Sequence, residues 1–201
     1  LAAATVAITD TADSQAITFT DSVTITTGLT TANGGSDNYN VVFNGASNSV
    51  AGTTTFNQGG TLTLGDGADT TDFVGGLVAT APSSISAQGT VKADGGSGVL
   101  TLGDSDTGLT VAANLLVGGT STGTISLGDA TLADGATLTA GAGAANQIDL
   151  DAISGTAGST ASNLTINSTG AVTVAEAVGT DIGTVTVTQS GGTTFTGNVA
   201  A

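Results

Sequence analysis

The chain has 201 residues with one Lys, no Arg, no His and no Cys, and its formal net charge is −15. This charge excludes an electrostatic interface with nucleic acid or with an anionic membrane surface. The missing His and Cys exclude Ser–His–Asp and Cys–His catalysis, and zinc sites built on those ligands. Helix-forming residues are scarce whereas Thr and Val are abundant, so the composition predicts an all-β protein.

Apolar and polar residues alternate in short runs along the whole chain, and Gly, Asn, Asp or Ser closes most of them. This is the pattern of β-strands separated by turns. No run approaches the roughly 20 apolar residues of a membrane-spanning helix, so we expect no membrane insertion in this segment. In chain order the predicted strands are "AITFT", "SVTIT", "YNVVF", "TTTF", "TLTL", "VLTL", "LTVAA", "GTISL", "ATLTA", "QIDL", "LTINS", "AVTVA" and "TVTVT".

One phrase recurs among these runs. "LTLGD" occurs at Leu62–Asp66 and again at Leu100–Asp104, and "ISLGD" follows at Ile125–Asp129. Glycine adopts the positive-φ conformations of sharp bends without steric cost. We therefore predict that each strand ends at a corner, at Gly65, Gly103 and Gly128.

Short strands and small side chains favour a parallel β-solenoid, in which each turn contacts only its neighbours. Its narrow interior suits Val, Ile, Leu, Ala and Thr and leaves little room for Trp or Tyr. We expect roughly 20–25 residues per turn and about eight to ten turns, a rod on the order of 40–50 Å long. Tandem β-sandwich-like repeats are the alternative, although they normally have longer strands and more aromatic anchors.

Residues 1–201 are interpreted as one continuous solenoid segment. The phrase "TVTVTQSGGTTFTGNV" near the C-terminus resembles "TVAITDTADSQAITFTDSV" near the N-terminus. This similarity indicates one large repeat, about 180 residues long, excised from a longer tandem array. The start "LAAATVAITD" lacks the basic region of a signal peptide. We therefore expect the export and anchoring segments to lie outside this chain.

The order of several phrases carries a family resemblance. "TVAITDTADSQAITF", "YNVVFNGA", "TTTFNQGGTLTLGD", "DFVGGLVATAPSS" and "GTVTVTQSGGTTFTGNV" resemble the large repeats of giant bacterial surface proteins, related in style to filamentous haemagglutinins and autotransporter passengers. The resemblance implies a secreted β-solenoid at the bacterial cell surface that forms fibres or adhesive stalks. It implies no catalytic residues.

The acidic residues are the main candidates for a chemical site. Asp66, Asp69 and Asp72 are spaced three residues apart, which differs from the spacing of an EF-hand loop. If corners stack across turns, Asp66 and Asp69 could approach Asp104 or Asp106 and bind Ca²⁺, which prefers carboxylate and carbonyl oxygens. The simpler interpretation is that these carboxylates belong to solvated turns. We therefore assign no metal site, and Ca²⁺ at the acidic turns is the alternative.

A carboxylate pair, as in glycoside hydrolases, is the remaining catalytic option. Asp149 and Asp151 in "QIDLDAI" alternate with apolar residues and should leave the same face of a strand. A solvated outer face explains this pattern equally, and Lys92 alone provides little cationic surface for an acidic sugar. We therefore expect that the chain is not an enzyme.

The predicted function is structural. The chain would be a repeat of an extracellular bacterial fibre, stalk or surface-layer protein, joined to copies of itself or to adjacent repeats by end-to-end β-strand stacking. The alternative is an adhesin module that recognises glycans or another cell surface.

Overall fold

Short alternating segments of the chain form parallel β-strands in a computed structural model that describes residues 1–9, 12–33 and 38–201. The strands are β1 (Ala2–Ile8), β2 (Ala16–Phe19), β3 (Thr24–Thr31), β4 (Asn40–Phe43), β5 (Ser47–Val50), β6 (Thr54–Thr55), β7 (Thr61–Leu64), β8 (Thr70–Phe73), β9 (Leu77–Ala79), β10 (Ser84–Lys92), β11 (Leu100–Leu102), β12 (Leu109–Gly118), β13 (Ile125–Leu127), β14 (Ala130–Leu132), β15 (Thr137–Ala140), β16 (Ile148–Leu150), β17 (Ile153–Gly155), β18 (Ser162–Asn167), β19 (Val172–Val174), β20 (Val178–Gly179), β21 (Ile182–Gln189) and β22 (Thr193–Phe195).

The strands stack into three faces, named A, B and C in the order in which the chain visits them from β2 onward. Face A consists of β2, β4, β7, residues 84–87 of β10, residues 109–111 of β12, β14, β17 and β20. Face B consists of residues 2–3 of β1, residues 24–25 of β3, β5, β8, residues 90–92 of β10, residues 115–117 of β12, β15, β18 and β21. Face C consists of residues 5–8 of β1, residues 28–31 of β3, β6, β9, β11, β13, β16, β19 and β22.

This arrangement confirms the predicted β-solenoid and not the sandwich alternative. An inward-facing column on face A runs through Ile17, Val41, Leu62, Ile85, Leu109, Ala130, Ile153, Val178 and Val199, and its nine members define eight turns. Successive members are 21 residues apart at the closest, as from Val41 to Leu62, and 25 residues apart at most, from Ile153 to Val178. The expected turn length and number of turns are therefore confirmed.

The interior is a stack of small aliphatic side chains except near the N-terminal end, where phenylalanines from all three faces meet. Phe43 belongs to face A, Phe73 to face B, and Phe56 directly follows the face C strand β6; all three are fully buried. Their ring centroids lie 6.0 to 6.3 Å apart in edge-to-face geometry. Such pairs add stabilisation beyond the burial of their area.

Tyr39 is buried as well, although the narrow interior predicted little room for this residue type. It lies just before β4, at the corner that leads into face A, and its side chain is inaccessible to solvent. Its hydroxyl group donates a hydrogen bond to the Ala32 carbonyl oxygen at 2.6 Å. The corner is wide enough for the ring, and the backbone carbonyl satisfies the buried hydroxyl.

Glycine makes the predicted corners in two different ways. Gly65 and Gly103 have positive φ, at 85° and 81°, so their strands end in a bend that other residues resist. Gly128 also lies at a corner, directly after Leu127. Glycine is favoured there because the backbone of the preceding turn approaches closely. A Cβ atom at position 128 would lie 2.5 Å from the Asp104 nitrogen of the preceding turn.

The described part of the chain contains strands and turns only. Accordingly, within residues 1–9, 12–33 and 38–201 no helix has the length and apolar character needed to cross a bilayer.

Candidate functional site

The first acidic candidates, Asp66 and Asp69, lie at the corner between faces A and B. This corner follows β7, and Asp66 is exposed. The Asp66 backbone N–H donates a hydrogen bond to Asp69 Oδ2 at 2.9 Å. The hydrogen bond between the two carboxyl groups raises the pKa of Asp66. The Asp69 carboxylate therefore stabilises the bend to which both residues belong.

Asp104 and Asp106 lie at a different corner, between faces C and A. Asp104 Oδ1 accepts hydrogen bonds from the backbone N–H groups of Asp106 and Thr107, both at 2.9 Å. The Asp104 N–H in turn donates to the Thr107 carbonyl oxygen at 3.1 Å. This is an Asx-type turn, in which the carboxylate closes the bend that begins at Gly103.

The two "LTLGD" phrases thus occupy different faces, and the structure does not bring their aspartates together. The first phrase contains β7 of face A, whereas the second contains β11 of face C. Asp66 and Asp104 consequently project from different corners of the solenoid. The third candidate of the first group, Asp72, lies apart from both on the outer side of face B.

Asp72 belongs to a small charged network with Lys92 and Asp94. Lys92 Nζ forms an ion pair with Asp94 and lies 3.9 Å from Asp72 Oδ2. The Asp94 N–H donates a hydrogen bond to Asp72 Oδ1 at 3.1 Å. The hydrogen bond from Lys92 lowers the pKa of Asp94, whereas burial raises the pKa of Asp72. The single lysine of the chain therefore joins two neighbouring turns.

The structure also groups Asp104, Asp129 and Asp151 in an acidic column, whereas the sequence pattern pairs Asp151 with Asp149 alone. Asp129 and Asp151 lie on the turns that follow Asp104 at the corner between faces C and A, and Asp149 lies on the outer side of β16. Burial raises the pKa of the Asp151 carboxyl group. Three nearby carboxylates raise that pKa further, those of Asp129, Asp104 and Asp149. The 25-residue spacing of the second "LTLGD" and "ISLGD", one full turn, was the available signal.

This acidic column has structural contacts of its own. Asp129 Oδ1 accepts a hydrogen bond from the Ala152 N–H of the next turn at 3.2 Å. Asp149 Oδ2 accepts one from Gln147 Nε2 at 2.9 Å. Over residues 1–9, 12–33 and 38–201, no group of three or more acidic side chains has the arrangement needed to hold a metal ion. Ca²⁺ binding at the acidic turns remains a prediction from composition.

Two surface grooves have no carboxylate in their lining, although the second one adjoins the bend that contains Asp66 and Asp69. One groove of 440 Å³ is lined by Thr53, Val74, Gly75 and residues 95–99 at the corner between faces B and C. Another, of 350 Å³, is lined by Gly67, Ala68, Gly89, Thr90, Ala113 and Asn114. Neither groove has an acidic or basic side chain in its lining.

Comparison of the chain with protein-family models, with curated proteins and with solved structures finds no match.

Proposed function

We propose that this chain is a structural element, a section of an extracellular bacterial rod that lengthens when further β-solenoid turns stack on its two ends. The observation that carries the proposal is the open interior at the end of the stack. Val187 and Val199 point inward on the last turn, yet they are 43% and 46% exposed. Ile166 and Val178, their neighbours one turn earlier, are fully buried.

The strand edges at both ends support the same proposal. Among the described strands, β1 pairs only with β3, whereas β21 and β22 pair only with β18 and β19. Each of these outer edges presents backbone N–H and C=O groups that another strand could pair. A further turn would satisfy these groups and bury the exposed valines, at about 25 cal/mol per Å² of apolar area.

The acidic corners suit a rod that grows at its ends and not along its sides. A net charge of −15 is carried largely by corners and outer faces, so parallel rods repel each other. Such charges keep a strand-rich surface soluble and discourage lateral association. The location at a bacterial cell surface rests on the resemblance of the sequence phrases to surface-protein repeats.

The proposal is tested by electron microscopy and sedimentation of the purified chain over a range of concentrations. We expect filaments with an axial repeat of about 4.8 Å between strands, longer at higher protein concentration. A chain that stays monomeric at millimolar concentration would contradict the proposal.

A pair of variants on the same strand separates end-stacking from general surface effects. Val187→Asp places a charge on the open inner column, and we expect it to abolish filaments because stacking would bury an unpaired carboxylate. Thr186→Asp adds the same charge to the outer side of β21, where the side chain is exposed, and filaments should persist. Circular dichroism of both variants establishes that the solenoid itself is folded.

A further inference from the structure

We infer that two copies of this chain join head to tail in a single register, in which Thr194 of one copy lies next to Ala7 of the next. The inference rests on the proposed function and specifies its partner, a second copy in the same orientation. It follows from the columns that cross the solenoid and from the distribution of charge at its two ends.

One outward-facing column on face C connects the two ends without interruption. Its members are Ala7, Thr30, Thr55, Val78, Thr101, Ser126, Asp149, Thr173 and Thr194. Every step of this column is a parallel pair in register. A copy added below Thr194 in the same orientation continues the column with its own Ala7.

The inner columns match in the same register. On face A, Ile17 begins and Val199 ends the column that passes through the whole interior. Ile17 is only half-buried and Val199 is 46% exposed, whereas the members from Val41 to Val178 are buried. Head-to-tail stacking places Val199 of one copy on Ile17 of the next, so both ends of the column lose their contact with water.

The charges at the two ends select this orientation. Residues 182–201, which form the last turn, contain no ionisable side chain. The first turn carries Asp13 and Asp21 at its corners, and both are exposed. Two first turns in contact would bring like charges together, which disfavours head-to-head association. Contact between two last turns would reverse the strand direction and interrupt the parallel columns.

Disulfide crosslinking tests the register, because the natural chain contains no cysteine. In the double variant Ala7→Cys/Thr194→Cys, the two sites of one copy are eight steps apart, about 38 Å at about 4.8 Å per step. They cannot form a bond within one chain, since a disulfide needs Cα atoms about 4.4–6.8 Å apart. We expect oxidation to give a ladder of covalent oligomers on a non-reducing gel.

The control variant is Ala7→Cys/Thr186→Cys. Thr186 is exposed on the last turn like Thr194, but it lies on face B instead of face C. We expect no ladder from this variant. A ladder from the control pair, or covalent dimers from either Ala7→Cys or Thr194→Cys alone, would overturn the head-to-tail register.

The two proposals fail in different ways. Filaments that form normally but give no Ala7–Thr194 crosslink would reject the register and leave end-stacking intact. Absence of both filaments and crosslinks would reject the proposed function and the register together.

Discussion

Asp134 and Thr160 lie on successive turns of the solenoid, and the Asp134 carboxylate accepts a hydrogen bond from the Thr160 backbone N–H at 2.8 Å. Its other oxygen accepts hydrogen bonds from the Ser159 N–H and hydroxyl groups, both at 3.2 Å. These bonds stabilise the ionised form and lower the pKa of Asp134, the Thr160 N–H most strongly. One carboxylate thereby holds a loop of the next turn in place.

We expect Asp134→Ala to lower the melting temperature at pH 7. The pKa of Asp134 in the folded chain is below the ordinary value of 3.8, so its stabilisation is complete above that value and is lost as pH falls through the folded-state pKa. The difference between the variant and the natural chain should therefore shrink under acid conditions. Thermal melts at pH 7 and at successively lower pH values measure it. A difference that does not depend on pH would contradict the role of the charge.

Asp151→Asn should have the opposite effect on stability and raise the melting temperature at pH 7. Burial and the carboxylates around it raise the pKa of Asp151 in the folded chain above 3.8. The ionised group therefore destabilises the fold at neutral pH, and the cost disappears as pH falls from above the folded-state pKa to below the unfolded-state one.

Salt dependence provides the control for Asp151→Asn. At about 1 M salt the Debye length falls to about 3 Å, so the part of the stabilisation that comes from like-charge repulsion should decrease. A variant that is less stable than the natural chain at pH 7 would refute the proposed acidic repulsion.

Three glycine substitutions distinguish the energetic cost of a positive φ from the cost of steric overlap with neighbouring backbone atoms. Gly28→Ala should be neutral or stabilising by up to about 1 kcal/mol, because Gly28 has no atom within 4 Å of an added Cβ and no positive φ. Gly95→Ala should cost about 1–2 kcal/mol for its φ of 91° alone. Gly103→Ala should cost more than about 2 kcal/mol, because a Cβ there would also overlap the Thr107 carbonyl oxygen. Denaturant unfolding of the three variants checks this order, and equal costs at positions 95 and 103 would contradict it.

Phe73→Ala should destabilise the fold by about 3–5 kcal/mol, because it empties the centre of the phenylalanine cluster. Phe73 is fully buried, and its ring centroid is 6.0 Å from that of Phe56. Phe195→Ala is the matched control, since Phe195 lies on the last turn and is only half-buried. Its loss should cost less than about 2 kcal/mol. Similar unfolding free energies for the two variants would show that the cluster does not anchor the N-terminal turns.

The sequence pattern located strands best where apolar residues alternate with Thr. Every run that alternation predicted overlaps a strand of the structure, from "AITFT" in β2 to "TVTVT" in β21. Nine of the described strands lie outside the predicted runs, namely β1, β5, β8, β9, β10, β14, β17, β20 and β22. Some of them, such as β5, consist largely of residues that are typical of turns. In β5 the buried Asn48 accepts a hydrogen bond from the Val23 N–H and donates one to the Gly45 carbonyl oxygen. Its polar side chain is satisfied inside the solenoid by neighbouring turns, which local sequence does not show.

The repeated phrases predicted corners but not the faces they belong to. The two similar phrases near the termini also lie on different faces, since residues 5–8 lie on face C and residues 184–187 on face B. The interpretation of the chain as one repeat of a tandem array stays a prediction. All three faces consist of similar short strands, and glycine ends strands on more than one face, so a phrase fits any of them.

The sequence by itself determined the all-β class and favoured the solenoid over sandwich-like repeats, together with its turn length and its corner glycines, because these depend on alternation and backbone conformation within a few residues. Only the tertiary structure decided which carboxylates meet, separating Asp66 from Asp104 and grouping Asp104 with Asp129 and Asp151. The physical reason is that the number of residues between stacked partners varies from 20, between Thr70 and Thr90, to 26, between Thr90 and Leu116. The direction in which a corner residue points therefore depends on all the turns before it. The summed turn lengths also place Ala7 and Thr194 in one column, at opposite ends of the solenoid.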